Sequence, residues 1–411
     1  MNQPNVDWKQ TLFASWFAQL VATAGFSVVM PILPLYVREL GITDEQQVSL
    51  WSGLIFSSQA VTMAIFGPIW GAISDRRGRK IMVLRSMIGG AVLMVLMGMV
   101  QNVQQLTLLR AIQGAVTGVV TAANALVATA TPREQAGYAL GLLQMAQYVG
   151  ASVGPLIGGL IADTLGFRSA FWVTAALLFV AGLMVLFFVH ESFQPAPPAP
   201  AVPHQKRPPL HRQVIAYLAP VLGSAPLLAV LGIRVLVRTA GRLAGPVLPL
   251  FVESISSSDA RVASITGVLS GISAAAGAVG ALWLGRAVDR IGSRHILTFS
   301  CLASTVCYLP YYFVPSPSWL YPLQAITGLA MGGIMASISA ALARLAPEGQ
   351  EGMVYGVAGT AMAIANAIGP MLGSAVAAAM GLGAPFLLTA VTFALSAGVA
   401  AGLLRTPREA A

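Results

Sequence analysis

A chain of 411 residues with 56% apolar and only 9% charged side chains is not an ordinary water-soluble protein, in which roughly one residue in four is charged. The net charge of +9 would suit nucleic acid, but the cations gather in short loops between apolar runs rather than on one basic surface, which excludes that partner. Cys301 and Cys307 lie in a single apolar segment, so neither a disulfide framework nor a Cys-rich metal site is available.

Stretches such as Val83–Val100 and Ala170–Val189 run 18 residues or more with at most one charge, the length a bilayer core demands. In lipid each backbone donor must bond within its own segment, so these stretches are helices. In chain order the apolar runs predict twelve spans, near 12–38, 49–72, 81–101, 105–130, 138–162, 168–190, 222–252, 262–285, 295–314, 320–344, 353–380 and 384–404. The first is too long for a cleavable signal and follows a single lysine, so it reads as a retained span. The predicted fold class is an all-α membrane protein of twelve transmembrane helices in two pseudo-symmetric six-helix bundles.

With both termini cytoplasmic, 16 of the 23 Lys and Arg fall on the inner side, against Arg38, Arg168 and Arg261 outside. That bias predicts a multi-pass protein of an inner or plasma membrane with both termini in the cytoplasm. After the sixth span the apolar pattern stops, and seven of the fifteen residues from 195 to 209 are proline, a stiff solvated linker. The expected organisation is a bundle over 1–192, a cytoplasmic linker over 193–217 and a second bundle over 218–411.

The two halves repeat. Pro31-Ile32-Leu33-Pro34-Leu35-Tyr36-Val37 returns as Pro246-Val247-Leu248-Pro249-Leu250-Phe251-Val252. Gly71, Asp75, Arg76 and Gly78 return as Gly285, Asp289, Arg290 and Gly292, and the offset of 214 to 215 residues holds through Gly114/Gly328, Gly154/Gly369 and Gly158/Gly373. A duplicated six-span unit puts a solute site where the halves meet, near mid-bilayer.

Several motifs carry a resemblance. Gly71-Ala72-Ile73-Ser74-Asp75-Arg76-Arg77-Gly78-Arg79-Lys80 lies between spans 2 and 3, Leu109-Arg110-Ala111-Ile112-Gln113-Gly114 in span 4, and Gly150, Gly154-Pro155 and Gly158-Gly159 in span 5, with Gly25, Pro31 and Pro34 in span 1. Together they resemble the major facilitator superfamily, and within it the twelve-span drug:proton antiporters of bacteria. The resemblance implies a secondary transporter that is not an enzyme, needs no cofactor or metal, exchanges a small-molecule substrate for protons, and works as a monomer in the lipid bilayer. It also implies gating by Asp75 and Arg79 with Gly71 and Gly78, an antiporter motif at Gly150, Gly154 and Pro155, and a part in proton transfer for Arg110. The residues supply their own reasons beside it: glycines four apart let two helix backbones approach, and Pro155 favours a bend.

Charge inside the membrane marks function. Arg110 shares a helix side with Gln113, Thr117, Thr121 and Asn124, a stripe expected to line a cavity. In span 7, Arg234, Arg238 and Arg242 are spaced by four and would repel one another unless carbonyls, water or anions compensate. Gln19, Gln59, Gln144, Gln147, Tyr148 and Asn366 are the other polar residues expected towards the cavity. All fourteen carboxylates fall in loops or near span ends, a departure from the usual proton-coupled exporter that leaves Asp163, with Glu39 and Glu253, as candidates for proton coupling. The leading expectation is an exporter of drugs or amphipathic compounds by alternating access. The alternative is an exporter or exchanger of organic anions built on the span-7 arginines.

Overall fold

The computed structural model describes residues 8–132, 135–189, 191, 223–257, 259–346 and 351–403, so the linker expected over 193–217 lies outside the described residues. The described chain is helical, without strands. Ten helices are long and apolar enough to cross a bilayer by themselves. Spans 4 and 7 complete the twelve and fall short for reasons that matter below.

Span 1 is two helices, Trp8–Val29 and Leu33–Glu39, and span 7 repeats the design as Ala225–Leu243 and Leu248–Ser254. Pro31 and Pro246 supply no amide hydrogen and end the first helix, whereas Pro34 and Pro249 sit in the first turn of the second, where that loss is harmless. Span 4 was expected to be continuous over 105–130, but it breaks into Val103–Val116 and Val119–Ala130. The break is at Thr117-Gly118, where Gly118 takes φ 150°, a region that L side chains avoid. The Trp70 indole Nε1–H donates to the carbonyl of Ala115, next to the break, at 2.6 Å. The remaining spans are single helices: Glu45–Arg77, Arg79–Gly98, Ala136–Leu165, Phe167–Phe188, Val262–Ile291, Ser293–Tyr308, Leu320–Leu345, Glu351–Met380 and Ala384–Leu403.

With the end of the molecule where Trp8 begins span 1 and Leu403 ends span 12 taken as the termini face, even-numbered spans run toward it and odd-numbered spans run toward the far face. At the termini face Gly78 and Gly292 turn the repeated loop with φ 96° and 98°. Glu191 then caps span 3, accepting from the backbone N–H groups of Arg79 at 2.8 Å and Lys80 at 2.9 Å. A carboxylate on two orphan amides at a helix start offsets both their lost hydrogen bonds and the positive end of the helix.

Each half is closed by backbone-to-backbone contact at glycine. A Cβ on Gly150, Gly154 or Gly158 of span 5 would collide with the carbonyls of Leu20, Ala24 and Val28 of span 1. In the second half Gly373 of span 11 meets the Leu243 carbonyl of span 7 in the same way. The repeat extends to hydrogen bonds: the Thr174 hydroxyl donates to Gly25 O at 3.1 Å, and its counterpart Thr389 to Ala240 O at 3.4 Å.

The halves meet on the far-face side. Gly159 packs on the Ala263 backbone, Gly267 on the Pro155 carbonyl and Gly53 on Ser374. Among the described residues, the hydrogen bonds that join the halves are Arg38 to Glu253, Ser264 N to Asp163 and Ser152 Oγ to Gly271 O. Toward the termini face, a Cβ on Gly67 or Gly71 of span 2 would meet no atom within 4 Å. Among the described residues, the contacts that join the halves thus gather toward the far face.

Candidate substrate cavity and its closures

Span 7 positions the cations that the sequence singled out. Its arginines lie one turn apart, and Asn366 of span 11 takes two of them: its Oδ1 accepts from Arg238 Nε at 2.7 Å and from Arg242 Nε at 3.0 Å. One neutral oxygen thus holds two guanidinium groups through their inner nitrogens. Neither has a carboxylate partner among the described residues, and their Nη atoms have no hydrogen bond there. Two unneutralised cations this close stand only where water or an anion reaches them.

Such a space is present. Arg238 and Arg242 line a cavity of about 490 Å³ with Tyr148 of span 5, Ser270 and Ser273 of span 8, Tyr308, Gln324 of span 10 and Phe386 of span 12. Its aromatic wall is locked by stacking, with Tyr308 on Phe393 at 5.8 Å and Tyr311 on Phe386 at 4.7 Å between ring centroids. The cavity combines cations, hydroxyls and aromatic faces, so it can hold an amphipathic solute with its polar end on span 7.

The other expected binding residues divide. Arg234 stands one turn from Arg238 toward the termini face and donates to Met362 Sδ at 2.9 Å, outside the lining of this cavity. Gln147 and Asn124 are half-buried and Gln144 is exposed, and none of them lines it. Gln19 is fully buried, with neither amide atom hydrogen-bonded to the described residues.

Arg110 departs most from expectation. Rather than bordering the passage, it is 1% exposed, sealed between spans 2 and 4. Its Nη1 donates to Gln59 Oε1 at 3.1 Å and Gln113 Oε1 at 2.7 Å, and its Cζ lies 5.9 Å from the Phe56 ring centroid. The cause is next door: Gly114 lets span 4 lie directly on the Gln59 carbonyl, which closes the groove over the guanidinium. Gln59 is thereby placed on Arg110 and not in the cavity.

At the far face lies a polar space of about 590 Å³ lined by Arg38, Glu39, Asp163 and Glu253. Arg38 pairs with Glu253 at 3.0 Å and Glu45 at 3.7 Å, and Arg168 with Glu39 at 3.6 Å. Asp163, at the end of span 5, accepts from the backbone N–H of Ser264 at 2.7 Å, in the first turn of span 8. A carboxylate of one half thus caps a helix of the other.

The span 2–3 loop, whose residues were expected to gate, lies at the termini face, away from every contact between halves described above. Gly78 turns the chain and Arg79 begins span 3, whereas the side chain of Asp75 lies outside the described residues. A Cβ on Gly71 would meet no atom within 4 Å. Gly150 and Gly154 pack within their own half, and Pro155 presents its carbonyl to Gly267 across the boundary. Sequence reasoning missed Tyr308, Phe386 and Gln324. A glutamine inside the apolar run of span 10 was a usable signal, whereas the two aromatic residues were indistinguishable from packing.

Comparison with known proteins agrees with this architecture. The sequence profile of the Major Facilitator Superfamily matches residues 15–237 and 230–411. The multidrug resistance protein MdtG of Citrobacter koseri is 37% identical over 406 residues, covering 98% of this chain and 97% of that protein. MdtG of Salmonella arizonae is 37% identical over 386 residues, 94% of this chain and 93% of the relative. Among solved structures, a bacterial homolog of the human lysosomal transporter Spinster, inward-facing and unoccupied, superposes with TM-score 0.75 at 16% identity over 97% of both chains. The human organic anion transporter MFSD10 superposes with TM-score 0.67 at 18% identity, over 97% of this chain and 100% of that one, again a likeness of fold. With two repeated six-span bundles around a cation-lined cavity and a family profile along nearly its whole length, the chain belongs to the major facilitator superfamily.

Proposed function

We propose that this chain exports drugs and other amphipathic small molecules across a bacterial inner membrane by alternating access, in exchange for protons, with its termini face in the cytoplasm. The observation that carries the reading is the cation-lined cavity of about 490 Å³, with the contacts of spans 5 and 8 between it and the far face; its opening toward the termini face is part of the proposal. The name borne by the relatives, multidrug resistance protein, supports it. The basic loops of the termini face support the orientation. In liposomes with an imposed pH gradient, the purified protein is expected to move amphipathic test compounds against their own gradient. Folded protein that moves no compound under any gradient would sink the proposal.

A second reading concerns the solute. Arg238 and Arg242, held by a neutral amide and facing a cavity without a carboxylate partner among the described residues, favour organic anions over lipophilic cations.

For gating we infer two sets of contacts that alternate. Gly71, Asp75, Gly78 and Arg79 serve when the termini face closes, and Asp163, Arg38 and Glu253 when the far face is closed, with Gly150, Gly154 and Pro155 as the close-packed bearing. Asp163 lies on the outer side of the closure, where a bound proton could only return outward, so its position supports a latch better than a proton carrier. Arg110 remains our candidate for the coupling step, because a buried guanidinium held by two neutral amides responds to any movement of span 2 against span 4 that breaks those bonds.

The latch has a testable ranking. A charge-assisted hydrogen bond to a backbone amide is worth about 1.5–3 kcal/mol, whereas an ion pair whose side chains are 32% exposed, as in Arg38–Glu253, is worth about 0–1 kcal/mol. Asp163→Ala is therefore expected to raise far-face opening about tenfold or more, and Arg38→Ala less than about fivefold. Labelling of a cysteine introduced in the cavity with an impermeant thiol reagent from the far face measures both, and equal effects would contradict the ranking.

A further inference from the structure

The first half contains a second cavity, of about 340 Å³, wedged between spans 2, 3 and 4 near the termini face and separate from the space between the halves. Its walls include Met63, Gly67 and Trp70 of span 2, Arg85 of span 3, and Gly118 and Ala122 of span 4. The volume lies in the usual range of ligand pockets, roughly 300–1,000 Å³.

The cavity exists because span 4 breaks, and the duplicated half provides the control. With the offset of 214 residues that relates Gly78 to Gly292 and Gly114 to Gly328, the counterparts of Met63, Gly67 and Gly118 are Gly277, Ala281 and Gly332. There span 10 is one continuous helix, and a Cβ on Gly332 would collide with the Gly277 carbonyl and the Ala281 amide. In the first half, a Cβ on Gly67 would meet no atom within 4 Å. The same duplicated scaffold is shut in one half and open in the other.

The open copy holds a cation that the shut copy lacks. Arg85 lies with its Cζ 3.6 Å from the centroid of the Trp70 ring, and that indole is itself pinned by its bond to Ala115 O. The counterpart of Arg85 is Phe299, 66% exposed on the outside of its bundle. Arg85 donates to neutral partners, Met82 Sδ at 3.5 Å and Ser86 Oγ at 3.2 Å, and its buried Nε has none. No carboxylate pairs with it among the described residues. It lies six residues into span 3 beyond Arg79, which also lines the cavity, and thus roughly 9 Å deeper in the membrane. A guanidinium held flat at that depth, with methionines and glycines beside it, lacks only an anion with an apolar body.

We propose that this cavity binds an amphiphile with a single anionic group, phosphate or carboxylate, its charge on Arg85 and its apolar chain along Met63 and Gly67. An anionic phospholipid of the surrounding leaflet and a free anionic detergent-like solute share this chemistry. The site is independent of the cavity on span 7 and of the export reading.

Native mass spectrometry of the full chain tests it, with phosphatidylglycerol, phosphatidylcholine and dodecyl phosphate as probes. The wild-type protein is expected to retain one phosphatidylglycerol at least tenfold more tightly than phosphatidylcholine, and dodecyl phosphate to displace it. Arg85→Gln is expected to lose that preference, Arg85→Lys to keep part of it, and Gly67→Leu, which fills the cavity while leaving the Arg85–Trp70 stack, to lose it too. Binding of dodecyl phosphate but not phosphatidylglycerol in the wild type, lost in Gly67→Leu, would assign the site to a free solute. Gly67→Leu that remains monodisperse and retains both anionic probes as the wild type does would overturn the proposal, whatever becomes of the Arg85 variants.

Discussion

Gly159→Val is expected to stop transport almost completely while leaving the protein folded, because its clash exists in only one of the two conformations. A Cβ at position 159 collides with the backbone of Ala263 and Ser264 in the other half, and backbone atoms of a helix cannot rotate aside. Overpacking of this kind costs about 1–3 kcal/mol or more, charged here entirely to the far-closed state, which shifts the balance toward far-open by about fivefold to more than a hundredfold. Gly158→Val supplies the contrast one residue earlier. Its Cβ collides with Val28 of the same half, so the damage falls on folding in every conformation and is expected as a lower thermal midpoint and yield. With buried Cys301 and Cys307 replaced, a Ser270→Cys reporter in the cavity reads the difference. Labelling from the far face should rise at least about fivefold in Gly159→Val. Continued protection together with wild-type transport would show that the contact is not a closure.

The second large effect belongs to span 7. Arg238→Ala and Arg242→Ala are each expected to lower transport of anionic test compounds by about tenfold to a hundredfold, the worth of one charge-assisted contact, and the double variant to abolish it. Neutral compounds should be transported nearly as before. Arg238→Lys is expected to rescue poorly, since lysine keeps the charge but loses the Nε bond to Asn366 that fixes the fork. Flux in liposomes, measured with anionic and neutral compounds in parallel, separates these outcomes. Unchanged anion flux in both single variants would remove the arginines from the substrate path.

Much of the architecture was written in the pattern of residues. Apolar length set the crossings, and the proline pairs at 31/34 and 246/249 marked the two bent spans. The glycine spacing in span 5 announced a close helix contact, although not which neighbour each glycine would meet. Gly154 and Gly158 turned inward to span 1, and Gly159 outward to span 8, because residues one apart on a helix face different partners.

The site was less legible. Intramembrane charge drew attention to Arg238, Arg242 and Arg110, but a charge pattern cannot distinguish a residue that borders a cavity from one sealed by its neighbours. Arg110 was sealed because Gly114 lets span 2 approach, a contact between residues some fifty positions apart. The break at Gly118, the cap that Glu191 places on span 3 and the latch of Asp163 on Ser264 are likewise meetings of distant segments.

By itself the sequence determined that this protein is a duplicated membrane bundle with cations where lipid forbids them, since the cost of polar groups in hydrocarbon is paid locally, residue by residue. Only the tertiary structure decided which cations reach open space, where the halves touch and where one half departs from its twin, because those outcomes depend on how closely helices distant in sequence can approach.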